Sequence, residues 1–410
     1  MGSLFCLAVR TPIGKPMTST AKMNVPTHQD VRSLVQAFRN CAPVTGLTHA
    51  FYKYPARFSP SFAAAAMQTF SSKGDVVLDP FMGGATTIVE GMRLGRRMIG
   101  SDINSLAIFL GKVKTSSLTT RQASAIEFWA DGLVPALRVQ DSATDTSEPM
   151  DLRRRNLDLP DARYVTRLTQ AALATLPYLP DGATRRFARC ILLNAGQWAL
   201  HGRRRPITAA IFRNRVSQTA HAMLRGLHEY MESLETEVHR PQLVRAAASE
   251  LHAAQPFKDA LKVDLVVTSP PYPGIHILYH RWQVNGRRET PAPYWITDTH
   301  DGQGSAYYNL GDRRRRDAGD YFDNLEASLA SIRRVMRPGA MLVELVAFAN
   351  PRRDLPRYLA TLNSTGFSEV RVSASTERHL WRRVPGRAWH ASLKGDTASS
   401  REVLLLHRAS

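Results

Sequence analysis

Two stretches of this chain hold residue types that do chemistry together. The first is Thr268-Ser269-Pro270-Pro271-Tyr272, directly after the apolar run Val263–Val267. Each proline fixes φ near about −65° and lacks an N–H. The carbonyls of such a turn cannot bond to those two residues and stay free to accept from another molecule, beside the aromatic face of Tyr272. The second stretch is Asp79-Pro80-Phe81-Met82-Gly83-Gly84-Ala85-Thr86-Thr87, in which a short apolar run ends on an acid and opens into glycines. A further acid, Asp102, closes the run Arg97-Met98-Ile99-Gly100. Ligands of open α/β sheets bind beyond the carboxyl ends of the strands, and Asp79, Asp102 and Ser269 would all stand there.

The elements that must position these residues follow from periodicity. Residues 75–79 predict a strand, Thr86–Leu94 a helix with Gly95 just past its end, and residues 97–100 a second strand. Strand, glycine loop, helix, strand is the first βαβ unit of a doubly wound parallel sheet, so the expected fold class is α/β. Val31–Phe38 predicts a short helix with Asp30 as N-cap. From about residue 115 to 240 the pattern turns helical and arginine-rich. Val216, Ala220, Leu224, Leu227, Met231, Leu234 and Val238 form one apolar stripe, and Arg163–Leu176 and Arg185–Leu200 predict further helices separated by Pro177–Gly182. Strand rhythm returns at Gln242–Ala246, Val263–Thr268, Met341–Phe348, Glu369–Ser373 and Glu402–His407. A helix over Tyr321–Met336 ends at Arg337-Pro338-Gly339, and residues 273–320 read as loops. The expected division is 1–48 lead-in, 49–114 first part of the α/β domain, 115–241 helical insertion, and 242–410 second part.

Asp79–Thr87 resembles the cofactor loop of the S-adenosylmethionine-dependent amino-methyltransferases of DNA. Thr268–Tyr272 is similar to their catalytic motif, in the form usual for cytosine-N4 enzymes. Tyr52-Lys53-Tyr54-Pro55-Ala56-Arg57-Phe58 resembles the segment that closes over the methionine end of the cofactor. The resemblance spans roughly residues 49–114 and 242–350. It implies a Rossmann-like sheet of seven strands, mostly parallel, with the last two strand candidates as a terminal antiparallel pair. It also implies S-adenosyl-L-methionine as cofactor, with Tyr54, Pro55, Phe58, Asp79, Pro80, Phe81, Gly83, Gly84, Ala85, Thr86, Thr87, Asp102 and Ile103 around it. Within that set the glycines admit the amino-acid end, Asp79 meets the ammonium and Asp102 the ribose hydroxyls. Ser269, Pro270, Pro271 and Tyr272 form the catalytic set: the Ser269 side chain and the Pro270 carbonyl accept the two N–H bonds of a base amino group, and Tyr272 stacks on the base. No Pro-Cys pair stands at this position, which argues against carbon-5 methylation. The chain departs from the pattern at Ala85, where a third glycine is usual. Ser249 or Glu250 is the candidate for the polar group beside the cofactor's adenine.

The expected reaction is methylation of cytosine N4 in duplex DNA with the base flipped out. Adenine N6, structured RNA, and a non-catalytic DNA-binding module on the same fold are the alternatives. The 410 residues include 54 Lys+Arg against 35 Asp+Glu, a net charge of +19, which suits a polyanionic partner. Much of the excess lies in arginine clusters at 153–155, 203–205 and 313–316. Double-stranded DNA is the expected partner, with room for a cognate restriction endonuclease as companion. No run of about 18 apolar residues predicts a membrane span. The three cysteines, Cys6, Cys41 and Cys190, form no CxxC pair, which fits a reduced, cytoplasmic setting. His276 and His280 have metal-ligand spacing on a helix but no third ligand nearby, so no metal is expected. Tyr279-His280-Arg281-Trp282, Tyr294-Trp295 and Tyr307-Tyr308 either hold an extruded base or pack a loop layer over the sheet.

Overall fold

The computed structural model describes residues 27–40, 42, 44–53, 59–138, 151–202, 206–235, 239–273, 281–286, 288–302, 310–311, 319–371, 378–384 and 401–410. In chain order the elements are α1 (His28–Arg39), α2 (Pro60–Phe70), β1 (Val76–Asp79), α3 (Thr86–Arg93), β2 (Arg97–Ser101) and α4 (Ser105–Lys114). Helices α5 (Thr120–Phe128), α6 (Val134–Ala136), α7 (Arg163–Ala174), α8 (Gly182–Leu200) and α9 (Ala209–Glu232) follow. Then come β3 (Gln242–Val244), β4 (Val263–Thr268), β5 (Trp282–Val284), β6 (Arg288–Thr290), α10 (Ala292–Thr297) and α11 (Gly319–Val335). The chain finishes with β7 (Met336–Ala347), α12 (Pro351–Ser364), β8 (Phe367–Glu369), β9 (Leu380–Arg383) and β10 (Arg401–Ala409).

The main sheet runs β3-β2-β1-β4-β7-β10-β8, with β9 also paired to β10. Strands β3, β2, β1, β4 and β7 are mutually parallel, and β10 runs antiparallel to β7, β8 and β9. The doubly wound, mostly parallel sheet is thus as expected, with β9 an eighth strand beyond the seven. Its two faces follow from strand alternation. Val77, Leu265, Val267, Val343 and Leu345 pack against α1–α3. Their neighbours Val76, Leu78, Val266, Leu342 and Val346 pack against α11 and α12. Burying each such side chain contributes about 1.5–3 kcal/mol. A further cluster is built from α5 and α7–α9 and continues into Val89 of α3 and Leu106, Phe109 and Leu110 of α4. The helices between β2 and β3 therefore share one core with the sheet's own helices.

Local chemistry explains several boundaries. Thr27, not Asp30, caps α1, and Asp30 completes the capping box by accepting from the Thr27 amide at 2.8 Å. Asp181 caps α8 through the amides of Ala183 and Thr184. Helix α9 stops at Glu232, so Leu234 of the apolar stripe lies beyond it, and Val238 falls outside the described residues. Arg337-Pro338-Gly339 is not a turn after α11. Strand β7 starts at Met336, and the irregular register opposite Val263–Leu265 absorbs the three residues. Within the stretch read as loops, Trp282–Val284 and Arg288–Thr290 pair as an antiparallel hairpin and Ala292–Thr297 is helical. No helix among the described residues is long and apolar enough to cross a membrane.

Candidate functional site

The sheet order reverses between β1 and β4, and the residues with chemical potential meet at the carboxyl end of that pair. Asp79 is the last residue of β1 and is buried. Its Oδ1 accepts the Thr268 hydroxyl from the end of β4 at 2.8 Å and the Phe81 amide at 3.2 Å. One carboxylate thus ties the glycine loop to the Ser-Pro-Pro-Tyr turn. Asp102, just past β2, accepts the Gly83 amide on Oδ2 at 2.9 Å and the Asn104 amide on Oδ1 at 2.8 Å. Burial pushes both carboxyls up, Asp79 to about 6 and Asp102 to about 6, against the lowering effect of these bonds.

The glycine loop takes left-handed backbone at two positions, Gly83 (φ 45°) and Ala85 (φ 59°). Ala85 adopts the conformation that a third glycine would take without strain; in an L-residue it costs about 1–2 kcal/mol. Because Ala85 is the N-cap of α3, no side chain caps that helix, and the buried Thr86 hydroxyl beside it has no protein partner. Pro80, Ala85, Thr86 and Thr87 are buried, whereas Phe81, Gly83, Ile103 and Ser269 are partly exposed and offer the accessible surface. Ser249 is partly exposed and Glu250 exposed, both on the short helical turn Ala248–Ala253.

Three anchors escaped the sequence reading. Lys114, fully buried on α4, donates from Nζ to the Gly84 carbonyl at 2.7 Å. A lysine on the same helical face as the apolar Leu106, Ala107 and Leu110 was the available signal. Asn104 caps α4 through the Leu106 amide and accepts the Tyr294 hydroxyl at 3.1 Å, while its buried Nδ2 has no protein partner. Glu402 on β10 accepts the Tyr272 hydroxyl at 3.0 Å; no local pattern could announce a partner 130 positions away.

On the catalytic-motif side, the Ser269 hydroxyl bonds to the Tyr272 hydroxyl at 2.9 Å, and Tyr321 donates to the Pro271 carbonyl at 2.8 Å. Pro270 is buried at the strand end, and Tyr272 is only 7% exposed, packed in the core beneath α11. Tyr54, Pro55 and Phe58 lie outside the described residues. The chain entering that segment is held by α8: Gln197 accepts the Lys53 amide and donates to the Lys53 carbonyl, both at 3.0 Å, and Asn194 donates to the Ala50 and Phe51 carbonyls. Of the loop aromatics, Trp282 and Tyr294 are buried, with Trp282 donating to the Tyr52 hydroxyl; these two pack into the helical cluster around α8 rather than over the sheet. His276, Tyr279, His280, Tyr307 and Tyr308 fall outside the described residues, as do Arg203–Arg205 and Arg313–Arg316.

Comparison with known proteins bears out the resemblance. Residues 14–109 match the family model described as DNA methylase. Over 81 residues the chain is 36% identical to the type II methyltransferase M.MvaI of Kocuria varians, covering 19% of this chain and 18% of that protein. Over 66 residues it is 33% identical to the type II methyltransferase M.MjaII of Methanocaldococcus jannaschii, covering 16% and 12%. The matched part thus spans less than a fifth of either relative. Among solved structures, TrmN from Thermus thermophilus aligns with 88% of this chain and 52% of its own at 11% identity and a TM-score of 0.33. The rRNA methyltransferase aviRa from Streptomyces viridochromogenes aligns with 92% of each chain at 11% identity and a TM-score of 0.32.

Proposed function

Because its glycine-loop segment is that of the DNA amino-methyltransferase family, we propose that this protein transfers a methyl group from S-adenosylmethionine to the N4 amino group of cytosine in duplex DNA. The observation that carries the reading is the Thr268–Asp79 bond, which fixes the Ser269 turn against the glycine loop at the sheet's switch point. The residues present suit the cofactor. A carboxylate has about four lone-pair sites; Asp102 uses two on amides and keeps capacity for a ribose diol. The uncapped start of α3 and the unpartnered Thr86 hydroxyl add unsatisfied polar groups at the loop.

In this reading Asp79 meets the cofactor's ammonium, the Gly83–Gly84 backbone lies along its amino-acid end, Phe81 and Ile103 line the space, and the buried Pro80, Ala85, Thr86 and Thr87 shape the loop behind it. Tyr54, Pro55 and Phe58, which lie outside the described residues, belong to the segment that the resemblance assigns to the methionine end of the cofactor. When bound, S-adenosylmethionine supplies an electrophilic methyl group on a sulfonium. The chain's task is to make an amino nitrogen a nucleophile, since its lone pair is delocalised into the base. Ser269 Oγ and the Pro270 carbonyl accept its two N–H bonds, favour a pyramidal nitrogen, and stabilise the positive charge developing there. Pro271 stiffens the turn, and Tyr321 holds it by bonding the Pro271 carbonyl. The Tyr272 ring, expected from the sequence to stack on the base, is instead packed in the core, and Tyr272 acts on the site through its hydroxyl bond with Ser269. A duplex base must leave its stack to reach these oxygens, and the helical insertion of residues 115–241 is the segment we assign to gripping the target.

The choice of cytosine rests on Ser269, the residue usual in the N4 form of the motif. Duplex DNA incubated with protein and S-adenosylmethionine, then digested to nucleosides and weighed by mass spectrometry, should yield N4-methylcytosine. N6-methyladenine alone would overturn the base assignment, and transfer to RNA but not DNA would overturn the substrate.

A further inference from the structure

The Ser269 hydroxyl is one end of a hydrogen-bond chain that runs through the protein: Ser269 to Tyr272 at 2.9 Å, Tyr272 to Glu402 Oε2 at 3.0 Å, and Arg382 Nε to Glu402 Oε1 at 2.6 Å. The chain ends in a built anchor. Arg382, whose side chain is 3% exposed, also donates to the Phe38 carbonyl at 2.6 Å and stacks over the rings of Phe38 and Phe62. Phe38 lies in the last turn of α1, whose carbonyl end favours a cation. The guanidinium therefore faces a carboxylate on one side and a helix C-terminus on the other.

A carboxylate has lone pairs and no proton to give. Glu402 therefore dictates direction along the chain: Tyr272 must donate to it, so the Tyr272 oxygen must accept, and the Ser269 proton is committed to Tyr272. Only lone pairs of Ser269 Oγ remain to face outward. A free serine hydroxyl would rotate and donate to a carbonyl as readily as accept from an amine.

We propose that Glu402, held by Arg382 and acting through Tyr272, is a positioning residue that makes Ser269 an obligate acceptor, selecting bases that present an exocyclic amino group over those that present a carbonyl. The inference rests on the methyl-transfer reading above and adds to it a residue on the terminal strand. Hydrogen bonds in series polarise one another, so the same chain raises the negative charge on Ser269 Oγ where the base amino group becomes cationic. The strongly elevated pKa of Tyr272, from burial and then the Glu402 charge, accords with a phenol kept as a donor.

Glu402→Gln replaces the acceptor-only group with an amide that can donate to Tyr272, so direction is no longer fixed. We expect kcat for methyl transfer to fall about tenfold, with KM for DNA and the cofactor within about twofold. Tyr272→Phe keeps the ring and the Arg382–Glu402 pair but cuts the chain, and should lose a similar factor. In the Tyr272→Phe background, Glu402→Gln should cost nothing more, and Glu402→Asp in the wild-type background should recover part of the loss. Multiplying losses, or an unchanged kcat in Glu402→Gln, would overturn the relay. A second readout needs no turnover: with ¹³C at Cζ of tyrosine, the Tyr272 phenol should begin to ionise at lower pH in Glu402→Gln than in wild type. Identical titrations would overturn the relay even if wild type proved inactive on DNA, an outcome that would sink the methyl-transfer reading alone.

Discussion

Asp102 and Asp79 meet opposing demands at the level of single residues. Burial favours their protonated forms, yet both proposed roles need lone pairs and negative charge. With both pKa values at about 6, cofactor affinity should fall as pH drops below that value, by up to about tenfold per pH unit for each carboxylate. Calorimetry across about pH 5 to 8 would check this; Asp102→Asn should weaken binding at neutral pH and leave a shallower pH dependence carried by Asp79. The linked effect on stability has the opposite sense. Asp79, Asp102 and Glu344, which burial raises to about 7, hold protons in the folded chain that the unfolded chain releases nearer its ordinary carboxylate pKa. The contribution of these three groups is thus greatest at the acidic side and declines as pH rises through the window from about 4 to 7, while His407, which burial lowers to about 4, contributes in the opposite sense; thermal melts of wild type against Glu344→Gln across that window would isolate the carboxylate share. The acids at the strand ends were legible in the sequence because each closes an apolar run. Lys114, Asn104 and Glu402 were not read as site anchors, because each acts on its site through a contact made in the folded state.

Legibility at the scale of elements tracked periodicity. Strands β1, β2, β4 and β10 and helices α3, α7, α8 and α9 announced themselves as apolar runs or stripes. The β5–β6 hairpin and α10 did not, since each is six residues or fewer and its aromatics pack on neighbours distant in sequence. Helix α9 also carries a constraint that stripe counting hides. Gly226 faces the segment before the proposed cofactor-closing residues, and a Cβ there would run into the Leu47 main-chain carbonyl. Gly226→Ala should therefore destabilise the fold by about 1–3 kcal/mol, read as a lowered midpoint in urea, because backbone cannot yield as a side-chain tip does. An unchanged midpoint would mean that α9 packs less tightly on residues 47–51 than their geometry requires.

The charge of +19 acts over the whole molecule. Residues 151–250 hold 16 arginines and no lysine against nine acids. Some of these arginines are already engaged within the protein: Arg153 pairs with Asp151 and Asp298, and Arg154 lies over Trp295. Arg185, Arg189, Arg213 and Arg215 are engaged as well, so under the proposed function it is the net positive charge of the region that would favour phosphate. Affinity for duplex DNA should fall by about 10³-fold or more between roughly 50 and 200 mM salt if six or more phosphates are neutralised, while cofactor affinity stays nearly constant. A salt titration by fluorescence anisotropy would measure the slope, and a flat response would remove the electrostatic grip from the account.

Strand β10 enters the sheet between β7 and β8, both of which precede it in the chain. During synthesis the glycine loop and the Ser-Pro-Pro-Tyr turn are complete long before β10 exists. Until it inserts, β7 and β8 each lack a neighbour, and Tyr272 has no carboxylate to meet. Pairing across a long separation is slow, so the sheet is completed, and in the proposed relay the serine oriented, only once β10 has inserted. A chain paused before that event would hold both motifs and remain chemically unfinished.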